Sequence, residues 1–230
     1  MSDQAPNNPK ELASYVHETV YDRLREALMA GELAPGRAIS VRRLAAQFDV
    51  SAMPAREAIR RLVALGALEL TATRRVMVSQ MTKEKLSEIK AARLALEPLL
   101  ATKTIERIGT KTRERNKLVR RLQEWDDKLD GAIREGDING YARYNRQFHF
   151  ELYGASGAAV MFGLVESLWL QIGPFMRQVV GRLGTTVLVD DKHKDIIGAL
   201  KAVDAEALAA AVAADVDQGM NTIDVDDLES

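Results

Sequence analysis

From Lys83 to Thr222 the chain reads as a succession of helices, the regular structure that most constrains how this region folds. The rhythm breaks at Gly109, Gly136, Gly154 to Gly157, Gly184 and Val203-Asp204, which sets helices near 83–108, 112–135, 137–153, 157–182, 187–201 and 204–221. Pro98 and Pro174 fall inside two of them and should kink them, since proline removes a backbone donor and crowds the preceding turn. Connections this short make sequence neighbours antiparallel, so the region reads as an all-α antiparallel bundle. Thr82 is placed to cap its first helix.

The residues before Thr82 follow another rhythm. Residues 1–9 are polar with two prolines and should form a frayed tail. Leu12, Val16, Val20, Leu24, Ala27 and Leu28 mark an amphipathic helix from Lys10 to Ala30, closed by Gly31. A Pro35-Gly36 turn and an extended Ala38–Ser40 lead into a two-turn helix, Val41 to Phe48, and a tight Asp49-Val50-Ser51 connection. The next helix, Ala52 to Gly66, can be capped by the Ser51 hydroxyl, and Pro54 in its first turn loses no internal hydrogen bond. Ala67–Thr71 and Val76–Ser79 flank Ala72-Thr73-Arg74-Arg75 as a small hairpin. Helix, helix, turn, helix, hairpin is the order of a winged helix-turn-helix. The fold class is therefore mainly α: a winged helix-turn-helix over 10–79, a hinge at 80–82, a helical bundle over 83–222, and an acidic tail at 223–230.

Hydrophobic residues are 47% and charged residues 28% of the 230, values of an ordinary soluble globule. The chain lacks the ~20 uninterrupted apolar residues of a membrane span, and MSDQAPNNPK lacks the apolar core of a secretory signal, so a cytoplasmic protein without membrane contact is expected. With no cysteine, disulfide scaffolds, thiolate nucleophiles, Cys-type zinc fingers and iron–sulfur clusters are all excluded. A net charge of −1 argues against a nucleic-acid partner until it is mapped. Gly36 to Arg75 holds eight Arg against Asp49, Glu57 and Glu69, a net of +5, so the remainder of the chain carries −6.

That basic block has the chemistry of a DNA reader. In a helix-turn-helix the second helix enters the major groove by its N-terminal end, while flanking elements hold phosphates. Here that end is Ser51, Ala52, Met53, Pro54 and Arg56, followed by Arg60 and Arg61. Arg56 and Arg60 share a face, whereas Ile59, Leu62 and Val63 face a core with Leu44, Phe48 and Val50. Arginine forks suit guanine O6 and N7 or phosphate, and Ser51, Arg42, Arg43, Arg74 and Arg75 are placed for backbone contacts. Some of Arg37, Arg60 and Arg61 must instead pair with Glu57 or Glu69.

The stretch from Val20 to Val78, with VYDRLREALMAGELAPGRAI and then VRRLAAQFDVSAMPAREAIRRLVALGALEL, resembles the N-terminal domain of GntR-family bacterial transcription regulators. The resemblance implies DNA contacts for Arg42, Arg56 and the turn around Ser51. Two positions depart from the family pattern: Ala52 stands where Arg usually follows the Ser, and Arg75-Val76 where the wing tip usually has Arg-Gly. One groove contact is thereby lost, and the wing should approach the minor groove less closely.

In the bundle, Asn145 and His149 are four apart on one helix, His193 opens another, and Asp215 lies on the last. Two imidazoles and a carboxylate converging there could hold zinc, nickel or manganese; the alternative is a set of hydrogen-bonded core or surface side chains. The third histidine, His17, reads as a surface or interdomain residue. Arg93 should face the interior, where a guanidinium needs a carboxylate: Glu97 one turn on, or an anionic ligand. Arg143 and Arg146 flank the histidine motif and read equally as solvated cations.

Lys83 to about Thr222 resembles the FCD ligand-binding domain of the FadR subfamily, through Arg93-x-x-x-Glu97, Asn145-x-x-Phe148-His149 and Lys192-His193 before an Ala-rich helix ending at Asp215. It implies metal positions at Asn145, His149, His193 and Asp215, and an effector site at Arg93, Glu97 and Asn145. Asn145 replaces the family's carboxylate and Asp215 its third imidazole. The expected function is a non-enzymatic, dimeric, ligand-responsive DNA-binding regulator, most simply a repressor, that binds a palindromic operator and answers a small organic acid, with a divalent metal as candidate cofactor. The alternatives are a sensor of the metal alone, or a metalloenzyme on His149, His193 and Asp215 with Glu97 as its base.

Overall fold

The computed structural model describes residues 9–176 and 192–223. Residues 1–8 of the tail expected over 1–9, the end of the helix expected over 157–182, the start of that expected over 187–201, and residues 224–230 lie outside the described residues, and Pro9 is helical.

The N-terminal part runs α1 (Pro9–Met29), β1 (Ala38–Ile39), α2 (Val41–Gln47), α3 (Ala52–Ala64), β2 (Leu68–Leu70) and β3 (Val76–Val78). Leu44, Ala58, Ile59 and Leu62 are buried together with Val20, Leu24 and Leu28 of α1, and each buried Leu or Ile contributes about 1.5–3 kcal/mol. The extended piece expected at Ala38–Ser40 is a third strand: β1 pairs antiparallel with β3, which also pairs with β2, giving the order β1-β3-β2. The hairpin loop Ala72-Thr73-Arg74 ends with Arg74 at φ +58, the left-handed residue that a three-residue hairpin loop calls for. Arg74 N donates to Thr71 O, and Arg75 N to Thr71 Oγ1.

Thr82 Oγ1 accepts from Lys85 N and caps α4 (Lys83–Ile108), as its position predicts. The bundle continues with α5 (Thr112–Glu135), α6 (Ile138–Gly154), α7 (Ala159–Ile172), a 3₁₀ turn at Gly173–Phe175, α8 (Lys192–Ala202) and α9 (Ala205–Asn221). α4 runs on through Pro98, whereas α7 gives way to the 3₁₀ turn at Gly173-Pro174. α4 packs against α9, α7 and α6, and α5 lies along α6 and α8. No helix among the described residues is long and apolar enough to cross a membrane.

One helix belongs to both halves. α1 packs on α3, and its other side packs on α7 and the 3₁₀ turn. Its end is in backbone contact with that turn, because a Cβ on Gly173 would stand 2.5 Å from Leu28 O and 2.6 Å from Met29 Cα. Arg25 pairs with Glu166 of α7, and Arg61 of α3 lies over the Tyr21 ring at 3.8 Å.

Gly173→Ala should therefore lower stability by about 1–3 kcal/mol through overpacking. Gly198→Ala, in α8 with open space around its Cβ, should raise it by about 0.5–1 kcal/mol. Thermal denaturation of the two variants checks both signs.

Candidate functional site

The reading head exposes most of the residues expected to face DNA. Arg42, Arg43, Ser51, Arg56, Arg74 and Arg75 are exposed, and Met53 is 70% exposed at the start of α3. The Ser51 cap needs correction, Pro54 lies apart from the exposed set, and Arg60 takes the Glu57 partner that the sequence allows it. Ser51 does not cap α3 with its side chain. Its natural partner, the amide three residues on, is missing because that residue is Pro54. Pro54 is itself buried and shapes the turn rather than facing outward. Arg60 is forked on Glu57, with Nε and Nη2 at 3.1 and 2.9 Å from its carboxylate. The α2–α3 turn closes with Asp49 at φ +51 and Val50 N donating to Ala45 O.

In the bundle the expected donors converge. Ligand atoms of His149 on α6, His193 on α8 and Asp215 on α9 all lie within 4.8 Å of one another. The two Nε2 atoms are 3.4 Å apart, and Asp215 oxygens stand 3.1 Å from His149 Nε2 and 3.7 Å from His193 Nε2. Both imidazoles are buried, and Asp215 is partly exposed.

The hydrogen bonds around this cluster orient the His149 ring. Tyr153 donates its hydroxyl proton to Glu97 Oε2 at 2.7 Å, so it accepts from His149 Nδ1 at 3.1 Å. His149 Nε2 faces Asp215 and His193. Asp126 Oδ1 of α5 stands 3.3 Å from His193 Nδ1, and the Nε2 of that ring faces inward as well. That oxygen is buried outside hydrogen-bonding geometry, without a hydrogen-bond partner among the described residues. Two imidazole nitrogens and a carboxylate this close are held together by a proton or a cation among them. Burial acts to raise the Asp215 pKa, but His149, and with it His193 and Arg93, holds it down to about 2.

The donor set fits a divalent metal. Two zinc–nitrogen bonds of ~2.1 Å at a tetrahedral angle put their nitrogens ~3.4 Å apart, and the mixed nitrogen–oxygen set equally suits nickel or manganese. Asn145 is buried one turn before His149 on the same face of α6.

Arg93 is buried, and its carboxylate partner is Glu97: Nε donates to Oε1 at 2.6 Å. Burial alone would lower the Arg93 pKa, and the Glu97 charge raises it above the ordinary arginine value. Glu97 also accepts from Trp169 Nε1 at 3.0 Å, so three donors from α4, α6 and α7 meet on one fully buried carboxylate. Of the two cations flanking the histidine motif, Arg143 is exposed, but Arg146 is buried and reaches α1, with Nη2 3.5 Å from Glu26 and Nη1 3.4 Å from Met29 Sδ. Asp126 and Arg146 belong to no motif, yet each was visible as a charge on an apolar stripe: Asp126 between Leu122 and Leu129, Arg146 between Ala142 and Tyr153.

Comparison with known proteins agrees with both halves. The model of the bacterial regulatory proteins of the gntR family matches residues 16–78, and that of the FCD domain matches residues 88–218. The chain belongs to the GntR family and carries an FCD domain. Among GntR relatives, the HTH-type transcriptional regulator McbR of Escherichia coli strain K12 is 29% identical over 81% of this chain and 83% of its own. A probable D-xylose utilization operon transcriptional repressor of Paenarthrobacter nicotinovorans is 26% identical over 83% of this chain and 81% of its own. The solved structure of E. coli McbR/YncC superposes with a TM-score of 0.81 at 25% identity, covering 94% of this chain and 99% of that one. These relatives are transcription regulators, not enzymes.

Breaking the buried pair with Glu97→Gln should cost about 3–5 kcal/mol, because Arg93 is left charged and uncompensated. An Arg93→Met/Glu97→Leu double variant should recover most of that loss in urea unfolding.

Proposed function

We propose that this GntR-family regulator is a cytoplasmic homodimeric repressor that binds a palindromic operator through its winged head and is modulated by a small organic acid bound in the bundle beside a divalent metal. Arg56 and the Ser51–Met53 turn would read the major groove, Arg42 and Arg43 would hold phosphates, and Arg74 and Arg75 would bring the wing to the backbone. Arg60, forked on Glu57, would join them only by exchanging that partner. Pro54 would act through the shape of the turn. A two-fold operator needs a two-fold protein, since one head spans a single half-site.

The observation that carries this reading is that α6 holds His149 and, three residues earlier, the buried Arg146 that touches α1, while α1 packs on α3. Whatever shifts α6 is transmitted to the reading helix through packed and ion-paired contacts. His149, His193 and Asp215 would hold the metal, with Asn145 a weak neutral donor or an effector contact. When bound, the metal would supply a Lewis-acidic position for an oxygen of the effector. Arg93 would meet the acid's carboxylate, with Glu97 fixing the guanidinium. The acid shifts the two heads to the extent that it binds one arrangement better than the other.

One observation favours a second reading, a sensor of the metal alone: Glu97 already neutralises Arg93, so no anion is needed for charge balance. A metalloenzyme is not supported, because Glu97, its only candidate base, is fully buried and takes three donors.

Mobility shifts on DNA upstream of the protein's own gene test the proposal. A complex is expected that weakens steeply with salt and loses about 1–3 kcal/mol in Arg56→Ala. Failure to retard any palindrome at low salt overturns it. Release by an acid identifies the first reading, and release by zinc, nickel or manganese alone identifies the second. Titration with the same metals should raise the thermal midpoint of the wild type but not of His149→Ala.

A further inference from the structure

Arg93 is incompletely satisfied. Nε and Nη2 point to Glu97, at 2.6 and 3.4 Å, but among the described residues Nη1 meets only the thioether of Met220, with Sδ at 3.2 Å. Sulfur of this kind is a weak acceptor, and a buried guanidinium edge facing it gains little compared with a carboxylate. Met220 sits in the last turn of α9 and is buried on this side. Its other side lines a cavity of about 310 Å³ between the start of α4 and the end of α9, with Lys83, Leu86, Ser87, Lys90, Asn221 and Ile223. One side chain therefore separates an open, lysine-bearing cavity from the unsatisfied edge of Arg93.

We propose that this cavity is the route and lodging of the acid: a carboxylate with a short apolar body enters between α4 and α9, displaces Met220 and takes its place on Arg93 Nη1. The proposal rests on the acid-responsive reading above and adds where the acid enters and what closes the site. Leu86 and Ile223 supply apolar walls for the body, and Ser87 and Asn221 a polar rim. Lys90, which ties the two helix ends together through Asp217 at 2.6 Å and Asn221 at 2.7 Å, adds positive charge along the path. The volume is at the small end for ligand sites, which restricts the acid to a compact one. Met220 is unbranched and adaptable, and the terminal turn of a helix opens at low cost.

Trp169 reports on this position, since its ring lies 4.7 Å from the Arg93 guanidinium and its Nε1 donates to Glu97. In a Trp125→Phe background its fluorescence can be followed by stopped flow on mixing with butyrate, benzoate or succinate. A saturable change is expected in the parent protein. Met220→Ala, which removes the closing side chain, should accelerate association and tighten binding by about tenfold. Leu86→Phe, which fills the cavity without touching Arg93, should slow association by a similar factor. Operator binding without acid checks that each variant is folded, and Met220→Phe, also expected to slow entry, stands in for either one that is not. Equal association rates in all variants overturn the route while leaving the acid reading intact. No response in the parent or in Met220→Ala, together with no effect of these acids on the operator complex, overturns both.

Discussion

The Glu97 carboxylate is the point on which the bundle depends. It is fully buried, and desolvating such a charge costs several kcal/mol, offset here by donors from three helices: Arg93 of α4, Tyr153 of α6 and Trp169 of α7. The consequence reaches beyond stability. By accepting the Tyr153 hydroxyl in a hydrogen bond, Glu97 leaves the phenol oxygen to accept from His149 Nδ1, which turns His149 Nε2 toward the cluster. The orientation of this donor is thus set two hydrogen bonds away, by the same carboxylate that holds Arg93. On the far side, the Asp126 carboxylate stands beside His193 Nδ1.

α1 gives the site a mechanical outlet. It is counted with the head by sequence order, yet it is fastened to the bundle by a backbone-to-backbone approach at Gly173 and by Arg25–Glu166 and Arg146–Glu26. Close-packed backbone leaves no room for small independent shifts, so movement of α6 or the 3₁₀ turn must carry α1 with it. α3, packed on the opposite side of α1, follows.

Much of this was legible in the sequence, and what was not has specific physical causes. Gly109 and Gly136 mark the ends of α4 and α5 because a residue without a side chain stops a helix most readily, and the observed bounds fall where they predict. The three converging donors were foreseen from helix spacing together with the family resemblance. β1 was foreseen only as an extended piece at Ala38–Ser40, since two residues become a strand by pairing with β3, a long-range event. The Ser51 cap failed because the local rule ignored that Pro54 removes the amide it needs. Asp126 and Arg146 escaped because no motif contains them, and a charge on an apolar stripe gains meaning only once its partner on another helix is known.

The ion pairs that fasten α1 have a consequence for how DNA binding is measured. Glu26 is 62% exposed while Arg146 is buried, and the Arg25–Glu166 pair is also partly open to solvent, so both are screened over the range where the Debye length shrinks from about 10 Å to 3 Å. Counterion release from phosphates occurs over the same range. A plot of operator affinity against salt therefore sums two processes, loss of phosphate contacts and loosening of the head from its bundle. Its slope is an upper bound on the number of phosphates held, and the excess over the structural count measures how firmly the head is tethered.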